Sequence, residues 1–259
     1  MLTVAAKFAN EMRKVLGLLD VMAAAVGVAQ APLQGLRSKH PVAKAAVILH
    51  QRFHGLPQVM TVVHDGAYLT LCADLELALR ELVIRYVECA QAKCEDYNHL
   101  PMAMRDWYPR GCAELLMSLS QDRFKHLTQA EIHRSLASCF GSPAKPYSLI
   151  GDAFAYNNRN FRPQDLDQHF RKRLGIPKIW QKLSRDSRFQ SDLGAPGPAT
   201  AEALARSKLE GLLNRRNDIV HRGRSYYTAG DSEVRGAAAY CVALTLALAH
   251  ALDDQLGAI

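Results

Sequence analysis

Apolar residues recur every three or four positions along much of this chain, which is the spacing of one face of an α-helix. The spacing predicts a first helix over residues 3–30, a short second helix over Val42–His54 and a third helix from Ala67 to about Lys93. Breaks are predicted at Gly55-Leu56-Pro57, and a turn is predicted at His64-Asp65-Gly66, where glycine, proline and aspartate interrupt the apolar pattern.

The third helix has the clearest amphipathic pattern. Its apolar stripe consists of Leu71, Leu75, Leu79, Leu82, Val83 and Tyr86. Two acids, Glu76 and Glu81, lie off this stripe, and Glu81 stands four residues before Arg85, in the order that favours an ion pair on a helix. One face of this helix is therefore expected to pack into the core, while the acids lie at its edge.

Residues 95–165 contain many prolines and glycines, including Pro101, Pro109 and Gly111, and these predict short elements. Helices are predicted over Gly111–Leu119 and Thr128–Phe140. The second of these begins with Thr128-Gln129-Ala130-Glu131, the spacing of a capping box, in which the threonine and glutamate bond each other's backbone N–H groups.

The C-terminal part of the chain again predicts longer helices. A helix over Gln164–Leu174 should end at Gly175, and Gly194–Pro198 forms a firm break. Thr200, as N-cap, should start a helix that runs to about Val220, and Asp231–Leu256 should form the last helix. With no repeats and no alternating strand pattern, the predicted fold class is all-α, a helical bundle with loop-rich helical insertions.

The most unusual position is Arg216, because it lies in the middle of the apolar face of its helix. At about 100° per residue it falls between Leu209 and Val220 on that face, whereas Asn217 and His221 share one flank. Burying a guanidinium is costly unless it is paired and hydrogen-bonded. The charge therefore needs an explanation.

Two explanations for Arg216 stay open at this point. It could pair with an acid on a neighbouring helix, for example Glu76 or Glu81. Alternatively, the apolar face could form a seam with another protein chain, with a cleft in which Arg216 meets a phosphate. On a straight helix Arg216 and His221 point about 140° apart, so they converge only if the helix bends or ends, or if a second chain takes part.

Composition narrows the choice of partner and compartment. Hydrophobic residues make up 49% of the 259 residues, enough for a sizeable core, and the net charge of +7 is compatible with an anionic partner or with ordinary solubility. None of the six cysteines forms a Cys-x-x-Cys pair, so reduced thiols in a cytoplasmic protein are expected. Cys94, His99 and Cys112 could be imagined as zinc ligands, but their spacing is irregular.

Two apolar stretches could be mistaken for membrane or targeting segments. Residues 15–28 follow Arg13 and Lys14 as in a signal peptide, but Asp20 interrupts them and fourteen residues precede them, which favours an amphipathic helix. The run from Gly236 to Ala251 is too short and too rich in alanine to span a bilayer convincingly. No membrane association is expected.

The segment Arg216-Asn217-x-x-x-His221 resembles the Arg-polar-x(3–5)-His motif of HEPN domains, an all-helical group that includes many metal-independent ribonucleases. Further segments resemble the RiboL-PSP-HEPN-like branch in the same order along the chain. They are Leu71–Glu76 with Leu79–Val83, Asn160–Pro163 with Phe170 and Leu174–Ile176, and Asn214–Gly223 with the apolar helix after it. The resemblance covers roughly residues 67–93 and 157–255.

This resemblance implies one HEPN-like domain over residues 1–259. Its core would comprise about 67–93 and 157–255, with N-terminal helices over 1–54 and an insertion over 95–156. One departure concerns HEPN toxins that extend the motif to His-x-Tyr. Here Arg222-Gly223 follows His221, which puts that subgroup and its mode of neutralisation in doubt.

The resemblance also implies an activity: endonucleolytic cleavage of RNA by its own 2′-hydroxyl, in phage defence or as a toxin. His221 would act as general acid or base, Arg216 would stabilise the transition state, and Asn217 would orient His221 or hold a phosphate. The implied RNA-backbone contacts are Arg215, Arg222 and Arg224, with Arg159 and Arg162 as weaker candidates. Glu76 and Glu81 would support these residues.

No metal or cofactor is implied by the resemblance, and a homodimer would bring two motifs into one cleft. An inhibitor or sensor protein encoded nearby is a further partner to consider. Two other interpretations stay open: a non-catalytic HEPN module that binds RNA, nucleotide or a partner protein, and an unrelated helical adaptor.

Overall fold

The computed structural model describes residues 1–30, 41–52, 56–141, 146–155, 161–221 and 229–259. Within these ranges the chain forms α-helices and two short 3-10 helices, Tyr97–His99 and Asp122–Phe124, and no β-strand. The α-helices are α1 (Leu2–Gln30), α2 (Pro41–Arg52), α3 (Leu56–Lys93), α4 (Met102–Ser118), α5 (Gln129–Ser138), α6 (Asp152–Ala155), α7 (Pro163–Leu174), α8 (Ile179–Leu183), α9 (Ser187–Leu193), α10 (Pro198–His221) and α11 (Asp231–Gly257). The predicted all-α class is confirmed.

Three long helices, α1, α3 and α11, pack against one another and form the centre of the molecule. The predicted stripe of α3 is buried there, with Leu71 and Leu82 fully inaccessible to solvent. Of the described helices, α11 alone is long and apolar enough to cross a membrane by length and composition, but 61% of its apolar window is buried inside the molecule. That burial is typical of a core helix.

The remaining helices build two groups around this centre. α4 packs on α5, α6 and α7, and α6 also contacts α3. α10 packs on α3 and on α8 and α9, which in turn contact α11. The motif-bearing helix α10 and the short helix α6 are therefore both held against α3.

Helix α3 is longer than predicted, since it begins at Leu56 and runs through His64-Asp65-Gly66 without a turn. The predicted turn is wrong, because the burial of Ala67, Tyr68 and Leu71 offsets the roughly 1 kcal/mol by which a helical glycine is less favourable than alanine. Instead of capping a turn, the Asp65 carboxylate accepts a hydrogen bond from the Ala229 N–H at 2.9 Å. This bond ties the start of the α11 segment to α3.

Two predicted helix boundaries are also wrong. α4 continues through Pro109, because its buried face, including Tyr108 and Cys112, packs into the core and offsets the hydrogen bond that proline cannot make. α10 begins at Pro198, so Thr200 lies inside it and is not its N-cap. Proline is accepted in a first turn because the N–H it lacks has no helical partner there.

Other local predictions are confirmed. Thr128 and Glu131 form the complete capping box of α5, with the Glu131 N–H donating to Thr128 Oγ1 at 3.2 Å. α7 ends at Gly175, whose φ of 73° is the left-handed conformation that glycine adopts without strain. The segment between Gly175 and the next glycine break divides into α8 and α9.

Candidate active site

The end of α10 that carries the motif is less well covered than the rest of that helix. Leu209, Leu212 and Leu213 are buried, but Ile219 is only partly buried and the Val220 side chain is 48% exposed. The apolar face predicted from the sequence is therefore present, and its last turn extends beyond the surface that the rest of the described chain covers.

Arg216 lies half-buried on this part of α10 and faces α3. Its Nη1 donates a hydrogen bond to Asn217 Oδ1 at 3.2 Å. Across the helix interface its positive charge interacts with Glu76 and with the Cys72 thiol, and it opposes the increase in pKa that burial causes at both groups. Burial and the neighbouring Glu76 charge raise the pKa of Cys72 to about 12, so this thiol stays protonated at neutral pH.

Of the two acids considered as partners of Arg216, Glu76 is the one that interacts with it, but the two groups do not form a close ion pair in the described structure. Glu76 Oε1 is buried and has no hydrogen-bond partner, and burial raises the pKa of the carboxyl group. Glu81, the other acid considered from the sequence, accepts a hydrogen bond from Lys7 Nζ at 2.8 Å. The prediction that Glu81 serves Arg216 is therefore wrong.

His221 is the last residue of α10, and its side chain is exposed. Because α10 is an uninterrupted helix up to this residue, Arg216 and His221 point about 140° apart around its axis. No hydrogen bond joins His221 to Arg216 or Asn217 in the described part of the chain, and the Asn217 oxygen is used by Arg216. One chain does not bring the predicted catalytic pair together.

Two arginines predicted to contact RNA have partners inside the molecule. Arg215 Nε lies 2.9 Å from Glu233 Oε1 of α11, and the Arg215 side chain is only 14% exposed. Arg162, just before α7, forms an ion pair with Glu210 of α10 and donates to Asn214 Oδ1 at 3.3 Å. Because both guanidinium groups join helices together, the structure does not favour the predicted role of either in RNA binding.

The other predicted RNA contacts, Arg222, Arg224 and Arg159, lie outside the described residues. Arg222 and Arg224 follow His221 directly. The described chain resumes at Ala229, whose N–H donates to the Asp65 carboxylate of α3. Within the described ranges no group of three or more histidine, cysteine, aspartate or glutamate side chains is placed to hold a metal ion, and this holds for Cys94, His99 and Cys112.

The sequence pattern did not reveal a cavity of about 220 Å³ next to Glu76. Its wall includes Glu76 and Arg80 of α3, Arg123 of the second 3-10 helix, Ala155 of α6 and Phe161. The only signal in the sequence was the four-residue spacing of Glu76 and Arg80, which places them one turn apart on one side of α3. Arg123 and Phe161 come from distant parts of the chain.

Arg80 is fixed at one side of this cavity by several contacts. It forms an ion pair with the buried Asp152 of α6, and its guanidinium lies over the Phe124 ring, 5.4 Å from the ring centre. His126 Nε2 lies 3.1 Å from the second oxygen of Asp152. Both carboxylate oxygens of Asp152 therefore have a partner, in contrast to Glu76 one turn of α3 from Arg80, whose Oε1 has none.

Comparison with known protein families places the chain beside one of them. A family model described as RiboL-PSP-HEPN matches residues 57–258, which is most of the chain and includes α3 to α11. No curated protein and no solved structure matches the chain.

Proposed function

Because this chain belongs to the RiboL-PSP-HEPN family, we propose that it is a metal-independent endoribonuclease whose active site is built around Arg216 and His221. The observation that carries the proposal is the position of these residues. Arg216 is a half-buried guanidinium with no close ion pair in the described chain, and His221 is exposed at the end of the same helix. Membership of the family supports an RNA-related role, and the two side chains supply the chemistry.

RNA contains the nucleophile for its own cleavage. In the proposed reaction one histidine removes the proton of a 2′-hydroxyl, the 2′-oxygen attacks the adjacent phosphorus, and the bond from phosphorus to the 5′-oxygen breaks. A second histidine gives its proton to that leaving oxygen. The products are a 2′,3′-cyclic phosphate and a 5′-hydroxyl. Arg216 stabilises the extra negative charge on the phosphorane oxygens, since guanidinium binds them through two parallel N–H bonds.

A second copy of the chain would supply the second histidine. Arg216 and His221 diverge on one α10, so a symmetric pair of chains can place the arginine of each near the histidine of the other. The uncovered apolar turn at Ile219 and Val220 offers a surface for such a contact. We therefore include a homodimer with a composite site in the proposal.

The activity is tested by incubating the purified protein with labelled tRNA and mixed cellular RNA in EDTA. We expect cleavage with cyclic-phosphate ends, reduced about 10²–10³-fold in Arg216→Ala and 10²–10⁴-fold in His221→Ala. His133→Ala, which removes an exposed histidine of α5, and Arg85→Ala, which removes an exposed arginine of α3, are the matched controls and should cleave normally. Loss of cleavage in EDTA by the unaltered protein would rule out the metal-independent reaction.

The dimer is tested separately with Val220→Asp. A charge on the uncovered turn should make the protein monomeric by light scattering and abolish cleavage, although His221 and Arg216 are intact. Met117→Asp places the same charge on a side chain of α4 that is 80% exposed, and it should leave both size and activity unchanged. An active Val220→Asp monomer would refute the composite site.

A non-catalytic RNA-binding module is the second candidate. It is favoured by the bond from Arg216 to Asn217, since a guanidinium that is partly satisfied within its own chain can hold a phosphate without reacting. If the unaltered protein and its variants all bind RNA and none of them cleaves it, the binding module is supported.

The proposed biological role is RNA cleavage in the cytoplasm as a toxin or in phage defence. Cells that express the protein should then grow slowly, while cells that express His221→Ala grow freely. Equal growth of the two strains would count against toxicity.

A further inference from the structure

The cavity beside Glu76 has no role in the catalytic steps described above. It lies between α3, the end of α6, the Asp122–Phe124 3-10 helix and Phe161, and has a volume of about 220 Å³. On α3 it occupies the turn between Glu76, which faces Arg216, and Arg80, which is bound to Asp152. Glu76 therefore belongs both to the wall of the cavity and to the side chains that interact with Arg216.

The wall of the cavity combines three kinds of chemistry. Glu76 contributes a carboxylate whose Oε1 has no partner and is closed off from solvent, so a ligand in the cavity reaches it when the partly exposed side chain turns toward the cavity. Phe161 contributes an aromatic ring that is 6% exposed and is held by an edge contact with His169, with ring centres 5.4 Å apart. Arg123 contributes positive charge, whereas the charge of Arg80 is offset by its ion pair with Asp152, and both guanidinium groups lie over the Phe124 ring.

These features restrict what can bind. A buried carboxylate only accepts hydrogen bonds, so the group that faces it must donate them, and a free anion would be repelled. An aromatic wall favours a flat ring, and the Arg123 guanidinium favours a negatively charged backbone beside that ring. A nucleobase within an RNA strand satisfies all three conditions. Of the four RNA bases, guanine has two adjacent N–H donors, N1–H and the N2 amino group, that match the two oxygens of one carboxylate.

We propose that this cavity binds a guanine base next to the scissile phosphate, with the Glu76 carboxylate accepting hydrogen bonds from its N1–H and N2 amino groups. The inference rests on the proposed function for the position of that phosphate at Arg216. It makes Glu76 a specificity-determining residue and gives the insertion, through Arg123, a part in choosing the RNA.

Binding tests the proposal without any need for cleavage. The protein with His221→Ala is titrated with a twelve-nucleotide uridine RNA that carries one central guanosine, and with the same RNA that carries inosine, which lacks only the N2 amino group. We expect at least about tenfold weaker binding of the inosine RNA, as for loss of a hydrogen bond to a charged group. With Glu76→Gln added, the two RNAs should bind equally.

Glu81→Gln is the matched control, since it makes the same change on the same helix at an acid that pairs with Lys7 away from the cavity. It should keep the preference for guanosine. Equal binding of the two RNAs before the Glu76 change, an unchanged preference after it, or no binding of either RNA would each overturn the inference.

Cleavage by the protein with His221 intact separates the two proposals. Cutting of both RNAs at equal rates in EDTA would leave the proposed function standing and overturn the guanine site. Selective binding of guanosine RNA without any cutting would support the site and refute the nuclease. If Glu76 acted only through the charge of Arg216, Glu76→Gln would slow the cutting of both RNAs equally and leave their ratio unchanged, which would also overturn the inference.

Discussion

Two contacts between an arginine and an acid lie one turn apart on α3, and their surroundings differ. In one, Arg80 of α3 faces Asp152 of α6, and in the other, Glu76 of α3 faces Arg216 of α10. Arg80 forms a close ion pair with Asp152, which also receives His126, and Phe124 covers the guanidinium. Arg216 interacts with Glu76 only at longer range, and a Glu76 oxygen stays without a partner. A buried charge that is fully partnered holds helices together, whereas one that is left incomplete is available for a ligand.

The largest effect should come from breaking the closed pair. Asp152→Asn keeps the shape of the side chain but leaves Arg80 without a counter-charge, and we expect a loss of about 3 kcal/mol in the free energy of unfolding. Chemical denaturation measures it. The matched control is Glu88→Gln, whose pair with Arg85 is exposed, and it should change the free energy by less than about 0.5 kcal/mol. Equal losses in both variants would remove the distinction between the two regions.

A third buried group, His169 beside Phe161, tests the effect of burial itself on a titratable side chain. Burial, and secondarily Arg173, lowers the pKa of His169 well below its ordinary value, so it stays neutral in the folded protein. The unfolded chain takes up the proton as pH falls below about 6.5, which favours unfolding. We expect stability to fall with pH between about 6.5 and 5, with a limiting slope of about 1.4 kcal/mol per pH unit for this group.

The pH dependence is measured by denaturation at several pH values. His169→Asn should be less stable at pH 7 but should lose this part of the slope, while His133→Asn, at an exposed position, should keep it. An unchanged slope in His169→Asn would show that this histidine is not held neutral.

The smallest effect is expected at the open pair. The pKa of Glu76 is raised by burial more than Arg216 lowers it, so its ionised form is less favourable in the folded chain than in the unfolded chain. Glu76→Gln should therefore raise stability at pH 7, by about 0.5 kcal/mol after allowance for solvent screening. The gain should shrink as pH falls and Glu76 itself takes up a proton. A loss of stability comparable to that of Asp152→Asn would mean that Glu76 is a structural partner after all.

The sequence predicted the elements that depend on neighbouring residues. The capping box of α5 needs only Thr128 and Glu131, and the end of α7 needs only the conformational freedom of Gly175, so both were found. The turn at His64-Asp65-Gly66 was predicted wrongly because its residues favour a turn locally. Packing of α3 against α1 and α11 outweighs that preference, and no local pattern records it.

The candidate site shows the same division. The position of Arg216 on the apolar face of α10 was visible from helical spacing alone. The partners of Arg215 and Arg162 were not, because Glu233 and Glu210 approach them only after the helices pack. The cavity was not predictable either, since it joins α3 to Arg123 and Phe161, which have no common spacing in the sequence.

Helix α3 runs without a break from Leu56 to Lys93 and carries Asp65, Glu76 and Arg80. Fifteen residues separate the first of these from the last, a distance of about 22 Å along the axis. An unbroken helix fixes the axial spacing of its residues, so one element sets the distances between the Asp65–Ala229 bond, Glu76 and the Arg80–Asp152 pair.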